Sequence, residues 1–164
     1  MIMNHVQSVR LMRMILTHSL TRILLFISTA FILNSCEQTP ALSQDVDEIV
    51  LQTIAMESAN QPILGQAYVA KTIQTRARRG KISPRQAVLV PKQYSCWNSP
   101  KWAKAWLDTN YTPKARQNAL EAWQMASRLP MVSHYHTRQV RPYWASSMQR
   151  IVIVGQHHFY KEVR

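Results

Sequence analysis

The alternation of apolar and polar positions along most of this chain is typical of helices. Between positions 46 and 57, apolar residues recur at spacings of three and four, which places them on one face of a helix. We expect this first helix to begin at Asp45 and to end between positions 56 and 60. A second amphipathic stretch begins at Pro62 and continues to about Arg79, where Gly80 would terminate it.

Three Ser-Pro or Thr-Pro pairs predict the starts of three further helices. In each pair, the hydroxyl side chain can cap the first turn, and the proline suits the first helical position. The predicted helices cover positions 83–90, 99–107 and 112–129. Their tryptophans at helical spacing, including Trp102 and Trp106, are expected to pack in the core, with a platform for sugars as the alternative.

The last third of the chain changes to β-branched and aromatic residues. Positions 133–137 and 151–154 carry these residue types in short runs that do not suit helices. We expect two short strands that pair antiparallel, with Gly155 leading into the aromatic segment 157–160. The predicted fold class is therefore α+β, mainly helical, with a small antiparallel β-element near the C-terminus.

The N-terminus has the features of a targeting segment. Three arginines precede an apolar run over 23–33, which is too short to span a bilayer comfortably. The run ends in Leu33-Asn34-Ser35-Cys36, which resembles the lipobox of bacterial lipoproteins; the alternative is an ordinary secretory signal with an incidental cysteine. The resemblance implies cleavage before Cys36 and acylation of Cys36. We therefore expect a signal peptide over 1–35, a tether over 36–44 and one domain over 45–164.

Removal of this segment would leave a basic domain anchored to a membrane by lipid. Glu37 stands where an aspartate would favour the inner membrane, so we expect the periplasmic side of the outer membrane in a Gram-negative cell. From Cys36 onward the chain has seventeen basic and eight acidic residues. This balance favours polyanionic partners such as peptidoglycan, anionic lipids, teichoic acids or nucleic acid.

Cys96 is the only cysteine besides Cys36. If Cys36 is acylated, no internal disulfide is possible. A catalytic role for Cys96 is disfavoured as well, because a thiol enzyme is hard to keep reduced in an oxidising compartment.

One acidic residue stands on the apolar face of the first predicted helix. Glu57 shares that face with Val50 and Ile54, although carboxylates are rarely buried. Burial without a cationic partner favours the protonated acid, the form that a general acid needs near neutral pH. Glu57 is therefore a candidate general acid, and the alternative is a helix-end glutamate held by a local hydrogen bond.

Four histidines lie in two clusters near the C-terminus. His134 and His136 would face the same side of a strand, and His157 or His158 could complete a metal site. The clusters contain no acidic residue and no HExxH or CxxC pattern, so we expect no metal. Together with the aromatic residues near them, the histidines suit the polar wall of a cleft for carbohydrate. These aromatic residues are Tyr135, Tyr143, Trp144, Phe159 and Tyr160.

Four sequence blocks, taken in order, resemble the spore-cortex-lytic enzyme family of cell wall hydrolases. The first runs from Glu57 through Gln61-Pro62 and Gly65-Gln66 to Arg76. The others are Gln93-Tyr94-Ser95, Ser133-His134-Tyr135-His136 followed by Trp144, and Gly155-Gln156-His157-His158-Phe159-Tyr160. Together the blocks extend over about positions 50–160.

The resemblance implies a lysozyme-like domain of the lytic transglycosylase type, in which helices and a small β-element flank a cleft. It implies a peptidoglycan glycan strand as the substrate and Glu57 as the acid, with no cofactor. We also expect a monomer without a nucleic acid partner. The residues expected to bind substrate are Gln61, Gln66, Gln93, Tyr94, Ser95, His134, Tyr135, His136, Trp144, His157, Phe159 and Tyr160.

Two positions depart from the family pattern. Gln61 replaces the second acid of its Glu-x-x-x-Glu, and Thr75 replaces an asparagine before Arg76. Gln61 still offers an acceptor and two donors, so it could orient a sugar or a water molecule. A non-catalytic peptidoglycan-binding lipoprotein is therefore one alternative function, and a basic nucleic-acid-binding module is another.

The remaining acids offer Glu57 no obvious catalytic partner. Glycoside hydrolysis with two carboxylates needs them roughly 5–10 Å apart, whereas Asp45, Asp47 and Glu48 belong to the start of the first helix. Lytic transglycosylation needs one glutamate, which protonates the glycosidic oxygen and then accepts a proton from the C6 hydroxyl of muramic acid. We therefore expect lytic transglycosylation, with muramidase-type hydrolysis as the alternative reaction.

Overall fold

A computed structural model describes residues 45–163 of the chain. The predicted signal peptide, Cys36 and the tether lie outside these residues. Within them, five α-helices come first: α1 Glu48–Ser58, α2 Ile63–Gly80, α3 Pro84–Leu89, α4 Pro100–Asn110 and α5 Pro113–Ala126. Short 3₁₀ turns lie at Ser95–Trp97 and Tyr143–Ser147. No helix in the described part is long and apolar enough to cross a membrane.

The predicted capping residues begin three of these helices. At the start of α3, the Ser83 hydroxyl accepts a hydrogen bond from the Gln86 backbone N–H, and the Gln86 side chain accepts one from the Ser83 backbone N–H. Ser99 and Thr112 accept hydrogen bonds from the first turns of α4 and α5. Each such cap stabilises a helix by about 1 kcal/mol. The first helix begins later than predicted, because Asp47 rather than Asp45 caps it through the backbone N–H of Ile49.

The end of α2 also differs from the prediction. Gly80 is the last helical residue, and Lys81 adopts the left-handed conformation with φ 52°. The backbone N–H of Ile82 then reaches the carbonyl of Ala77, and that of Lys81 reaches the carbonyl of Arg78. These two bonds form a Schellman motif with lysine in the position that glycine usually takes.

The core forms around α1, which packs against α2, α3 and α5. Val50, Leu51 and Ile54 of α1 are at most 1% exposed, and small residues such as Ala119 and Ala122 let α5 approach closely. Trp106 packs against this core as predicted. Trp102 does not, because 47% of its surface is exposed.

The β-element has three strands, and its order is β1–β3–β2. The strands are β1 His134–Thr137, β2 Met148–Val154 and β3 His157–Glu162. The two predicted strands therefore do not pair with each other, since β3 lies between them and is antiparallel to both. A two-residue turn at Gly155-Gln156 joins β2 to β3, and Gly155 has the positive φ of 57° that such turns require. The mainly helical α+β fold class is confirmed.

The sheet contacts the helices through one of its faces. Phe159 of β3 and Val154 of β2 form a second buried cluster with Tyr68 and Val69 of α2. Because successive side chains of a strand alternate between faces, this packing fixes which residues of β1 and β3 point toward the helices. The sheet thereby carries side chains from the C-terminal part of the chain to the end of α1.

Candidate active site

Glu57 lies near the C-terminal end of α1, where three donors converge on its carboxylate. Its Oε1 accepts hydrogen bonds from the Ser95 hydroxyl at 3.1 Å and from the Cys96 backbone N–H at 3.0 Å. Its Oε2 accepts one from the Tyr135 hydroxyl at 2.8 Å. All three donors are distant in sequence, so Glu57 is not a helix-end residue with only a local bond. Within residues 45–163 no lysine or arginine forms a salt bridge with it.

The 3₁₀ turn at Ser95–Trp97 holds two of these donors against α1. The indole nitrogen of Trp97 donates to the Thr53 hydroxyl at 2.9 Å, one helical turn before Glu57. Cys96 is buried, and burial together with the Glu57 carboxylate raises the pKa of its thiol well above the usual range. Cys96 therefore stays a thiol, and its backbone N–H contributes to the site.

Arg76 joins the segments that carry the donors. Its guanidinium donates to the carbonyl of Ser133, just before β1, at 3.1 Å and to the carbonyl of Gln93 at 3.3 Å. It also lies over the ring of Tyr94, 5.1 Å from the centroid. Arg76 was part of the recognised motif, but its role could not be predicted because both of its partners are backbone carbonyls distant in sequence.

Tyr135 is surrounded by aromatic side chains on the face of the sheet that contacts the helices. The ring of His157 lies 5.1 Å away edge-on, and that of Phe159 lies 5.7 Å away. Burial, and secondarily the Glu57 carboxylate, raises the pKa of Tyr135 far above its ordinary value, so the hydroxyl remains a donor. Burial lowers the pKa of His157, which favours the neutral ring. Among residues 45–163, its buried Nδ1 has no hydrogen-bond partner.

The opposite face of the sheet holds most of the remaining predicted aromatic and histidine residues, including His158, whereas Tyr143 lies in a 3₁₀ turn and is 92% exposed. The His136 Nε2 lies 3.0 Å from the Tyr160 hydroxyl, and Trp144 packs against both rings and against His134. Because His134 and His136 flank Tyr135 on β1, they point away from Glu57. The single cleft wall predicted from the sequence is therefore two separate clusters, of which only the one with Tyr135 contacts Glu57.

The same alternation divides the four histidines that the sequence offered as metal ligands between the two faces of the sheet. His134 and His136 share a face, as expected, and His158 lies on the same face with its ring centroid 5.1 Å from that of His136. His157, the other candidate for a third ligand, lies on the opposite face of the sheet. Within residues 45–163, no three His, Cys, Asp or Glu side chains are placed to hold a metal ion.

The remaining predicted residues occupy positions around these clusters. The Gln61 Oε1 accepts a hydrogen bond from the backbone N–H of Gln156 at 2.8 Å, so this side chain holds the turn between β2 and β3. The Gln66 Nε2 donates to the Gln61 carbonyl at 3.2 Å. Gln93 is exposed, whereas Tyr94 is 2% exposed beneath Arg76 and offers no surface to a sugar.

Comparison with known proteins identifies the family. The family model described as Cell Wall Hydrolase matches residues 60–160. The chain belongs to the cell wall hydrolase family. The matched span begins three residues after Glu57. A comparison with curated proteins gave no match.

Two solved structures share the fold of this cell wall hydrolase. The catalytic domain of the germination-specific lytic transglycosylase SleB from Bacillus anthracis is 19% identical, with a TM-score of 0.51, and the match covers 71% of this chain and 98% of that one. The catalytic domain of the Bacillus cereus SleB protein is 21% identical, with a TM-score of 0.52, and covers 70% and 91%. The resemblance to the spore-cortex-lytic enzyme family is confirmed.

Proposed function

We propose that this cell wall hydrolase is a lytic transglycosylase that cleaves the glycan strands of peptidoglycan, with Glu57 as its single acid and base. The observation that carries the proposal is the convergence of three donors on the Glu57 carboxylate. The lytic transglycosylase SleB, whose fold the chain shares, supports the same reaction class.

Four of the other described carboxylates form salt bridges, which supports a mechanism with one acid. Asp47, Glu48, Asp108 and Glu162 each form a salt bridge with an arginine or lysine. Glu48 begins α1, and a rise of about 1.5 Å per residue places its backbone roughly 13 Å from that of Glu57 along the helix axis. Two-carboxylate hydrolysis therefore receives less support than transglycosylation.

The proposed reaction moves one proton in each of two steps. Protonated Glu57 donates to the glycosidic oxygen as the bond from the muramic acid C1 to that oxygen breaks. The C6 hydroxyl of the same muramic acid then bonds to C1 and gives its proton back to Glu57, which produces a 1,6-anhydro sugar. Between these steps Glu57 is a carboxylate, the form that Ser95, Tyr135 and the Cys96 N–H stabilise by donating to it.

The location of the enzyme is a further part of the proposal. The lipobox-like sequence before Cys36 supports a lipid anchor, with residues 36–44 as a tether to the domain at 45–164. In a Gram-negative cell the domain would face the periplasm from the outer membrane, next to peptidoglycan, and act as a monomer. Labelling with a clickable fatty acid tests the anchor, because Cys36→Ser should abolish incorporation.

Product analysis tests the reaction itself. The full-length protein in detergent should release 1,6-anhydro-muropeptides from purified sacculi, as detected by mass spectrometry. Glu57→Gln should abolish them, whereas Glu121→Gln, which alters an exposed glutamate of α5, should not. Products with reducing ends would support muramidase hydrolysis instead. Binding without any product would support the non-catalytic lipoprotein, which the replacement of an acid by Gln61 favours.

A further inference from the structure

A concave surface lies beside α1, away from the donors of Glu57. It encloses about 330 Å³ and is formed where the end of α1 faces α4, the start of α5 and Gln66 of α2. Ala55 and Ala59 supply the α1 side. We call this surface the amide groove, for the side chains described below.

Helix geometry separates the amide groove from Glu57. Ala55 and Ala59 are four residues apart and therefore share one face of α1. Glu57 is two residues from each of them, which at about 100° per residue places it on the opposite face. The groove and the proposed catalytic carboxylate therefore lie on opposite sides of the same helical turn.

The chemistry of the groove comes from four amides and one indole. Asn60, Gln66, Asn110 and Asn118 line it together with Trp106. The amide nitrogens of Gln66 and Asn110 donate to the carbonyls of Gln61 and Trp106, which leaves their oxygens to act as acceptors. Among the described residues that line the groove, none carries a formal charge.

We propose that the amide groove binds an N-acetylated glycan strand at a second site, in addition to the segment that is cleaved beside Glu57. Side-chain amides can pair with the hydroxyls and acetamides of such a strand, and an indole offers an apolar surface to a sugar ring. The alanines leave room for a ring beside α1. This inference rests on the proposed glycan substrate, since the site would hold the strand that Glu57 cuts.

The absence of charge among the described lining residues distinguishes a glycan from a stem peptide. Stem peptides carry free carboxylates and amines, and recognition of such groups normally uses charged partners. The domain is basic as a whole, yet no arginine or lysine between positions 45 and 163 lines this groove. A neutral, hydroxyl-rich ligand therefore fits the groove better than a charged peptide does.

Binding measurements on full-length protein in detergent test the site. A Glu57→Gln background prevents cleavage, and the probe is a peptide-free, uncharged N-acetylated glycan strand, namely an oligosaccharide of β-1,4-linked N-acetylglucosamine. Asn118→Ala removes one amide from the groove, and Ala115→Phe fills the groove from α5. The control is Gln117→Ala, which removes an exposed amide from the position before Asn118. Asn118→Ala should weaken binding about fivefold. Ala115→Phe should weaken it more, and Gln117→Ala should bind like the parent.

Three outcomes would overturn the inference. The first is that Asn118→Ala and Ala115→Phe both bind within twofold of the parent while their circular dichroism melts match it. The second is weakening that occurs with peptide-bearing sacculi but not with peptide-free strands, which would indicate a stem-peptide site. The third is equal weakening by Gln117→Ala, which would indicate a general effect on α5.

The failure of the proposed reaction can be told apart from the failure of the groove. If wild type yields no anhydro products but the groove variants lose binding, the transglycosylase proposal fails and the glycan site stands. If wild type yields anhydro products and the groove variants bind normally, the reaction stands and the second site fails.

Discussion

The hydroxyl of Tyr135 donates to the Glu57 carboxylate at 2.8 Å and joins the sheet directly to the proposed catalytic residue. Tyr135 is on β1 and Glu57 is on α1, 78 positions earlier in the chain. The bond therefore couples the orientation of the carboxylate to the packing of the sheet against the helices. A donor in this position stabilises the carboxylate that forms after proton transfer.

Tyr135→Phe should lower the rate of anhydro-muropeptide release by about tenfold to a hundredfold. This loss is at or below the lower end of the roughly hundredfold to thousandfold losses that follow removal of one oxyanion-hole donor. The ring and its contacts with His157 and Phe159 would remain, so the melting temperature should change little. Initial rates on sacculi and a thermal melt check these two expectations.

Tyr111→Phe is the matched control for this change. The Tyr111 hydroxyl donates to Glu48 at 2.7 Å, which is the same kind of bond at the other end of α1. Its loss should leave the rate of release within about twofold of wild type, because Glu48 takes no part in the proposed reaction. Equal losses in both variants would show that the Tyr135 bond acts only through stability.

The fold could be predicted further than the site because its signals are local. Ser83, Ser99 and Thr112 cap helices by accepting from backbone N–H groups three residues away, and sequence spacing predicts such contacts directly. The order of the strands in the sheet, in contrast to the helix caps, has no such local signal in the sequence. It depends on the Gly155-Gln156 turn, which makes β3 the central strand although it comes last in the chain.

The site residues can be predicted from the motifs, but the motifs alone do not predict that these residues form two clusters on opposite faces of the sheet. His134, Tyr135 and His136 are consecutive, and alternation predicts that Tyr135 faces away from its neighbours. Which of the two faces meets α1 depends on the packing of Phe159 against Tyr68, a contact between distant segments. Glu57 could be found in advance because it breaks the apolar pattern of a single helix.

Stability should fall as the pH is lowered through the range in which His157 titrates. Burial lowers the pKa of His157 in the fold below its ordinary value of 6.5, so the unfolded chain binds more protons over this interval. The stabilisation from the neutral ring is therefore complete above about pH 6.5 and is lost as the pH falls through the lower, folded value. Denaturant unfolding at pH 7.5 and at lower pH measures the loss.

A substitution of His157 tests whether this residue causes the loss of stability at low pH. His157→Phe keeps a ring against Tyr135 and removes the titrating group, so stability should depend less on pH than in wild type. Some dependence should remain, since burial also lowers the pKa of His134. An unchanged difference in unfolding free energy between the two pH values would contradict the assignment.

Arg76→Lys should weaken both the fold and the reaction. Lysine keeps the charge but cannot reach the carbonyls of Ser133 and Gln93 with the same planar fork. We expect a loss of about 1–2 kcal/mol in unfolding free energy and slower release of anhydro-muropeptides, because Ser95 and Tyr135 follow those two carbonyls. Arg78→Lys, an exposed neighbour on α2, is the control and should change neither quantity.

Replacement of the family's second acid by Gln61 should not abolish activity, because the side chain at position 61 acts as a hydrogen-bond acceptor. Its Oε1 receives the Gln156 N–H, and this turn leads into the strand that carries His157 and Phe159. A glutamate would offer the same acceptor, so Gln61→Glu should retain the wild-type melting temperature and rate. Gln61→Ala should lose about 1 kcal/mol of stability and part of the rate. A tenfold gain in rate for Gln61→Glu would instead assign the position a chemical role.

The contact between Gln61 and Gly155 allows this interpretation to be tested by a double-mutant cycle. A Cβ at Gly155 would lie 2.1 Å from the Gln61 Oε1, and the φ of 57° disfavours any other residue independently. Gly155→Ala should therefore destabilise the protein by more than about 1 kcal/mol, the cost of the left-handed conformation alone. In the Gln61→Ala background the clash with Gln61 disappears, while the contact with Pro62 Cδ at 3.1 Å and the conformational cost remain, so the second substitution should cost less there. Additive losses in chemical denaturation would show that Gln61 does not support the turn.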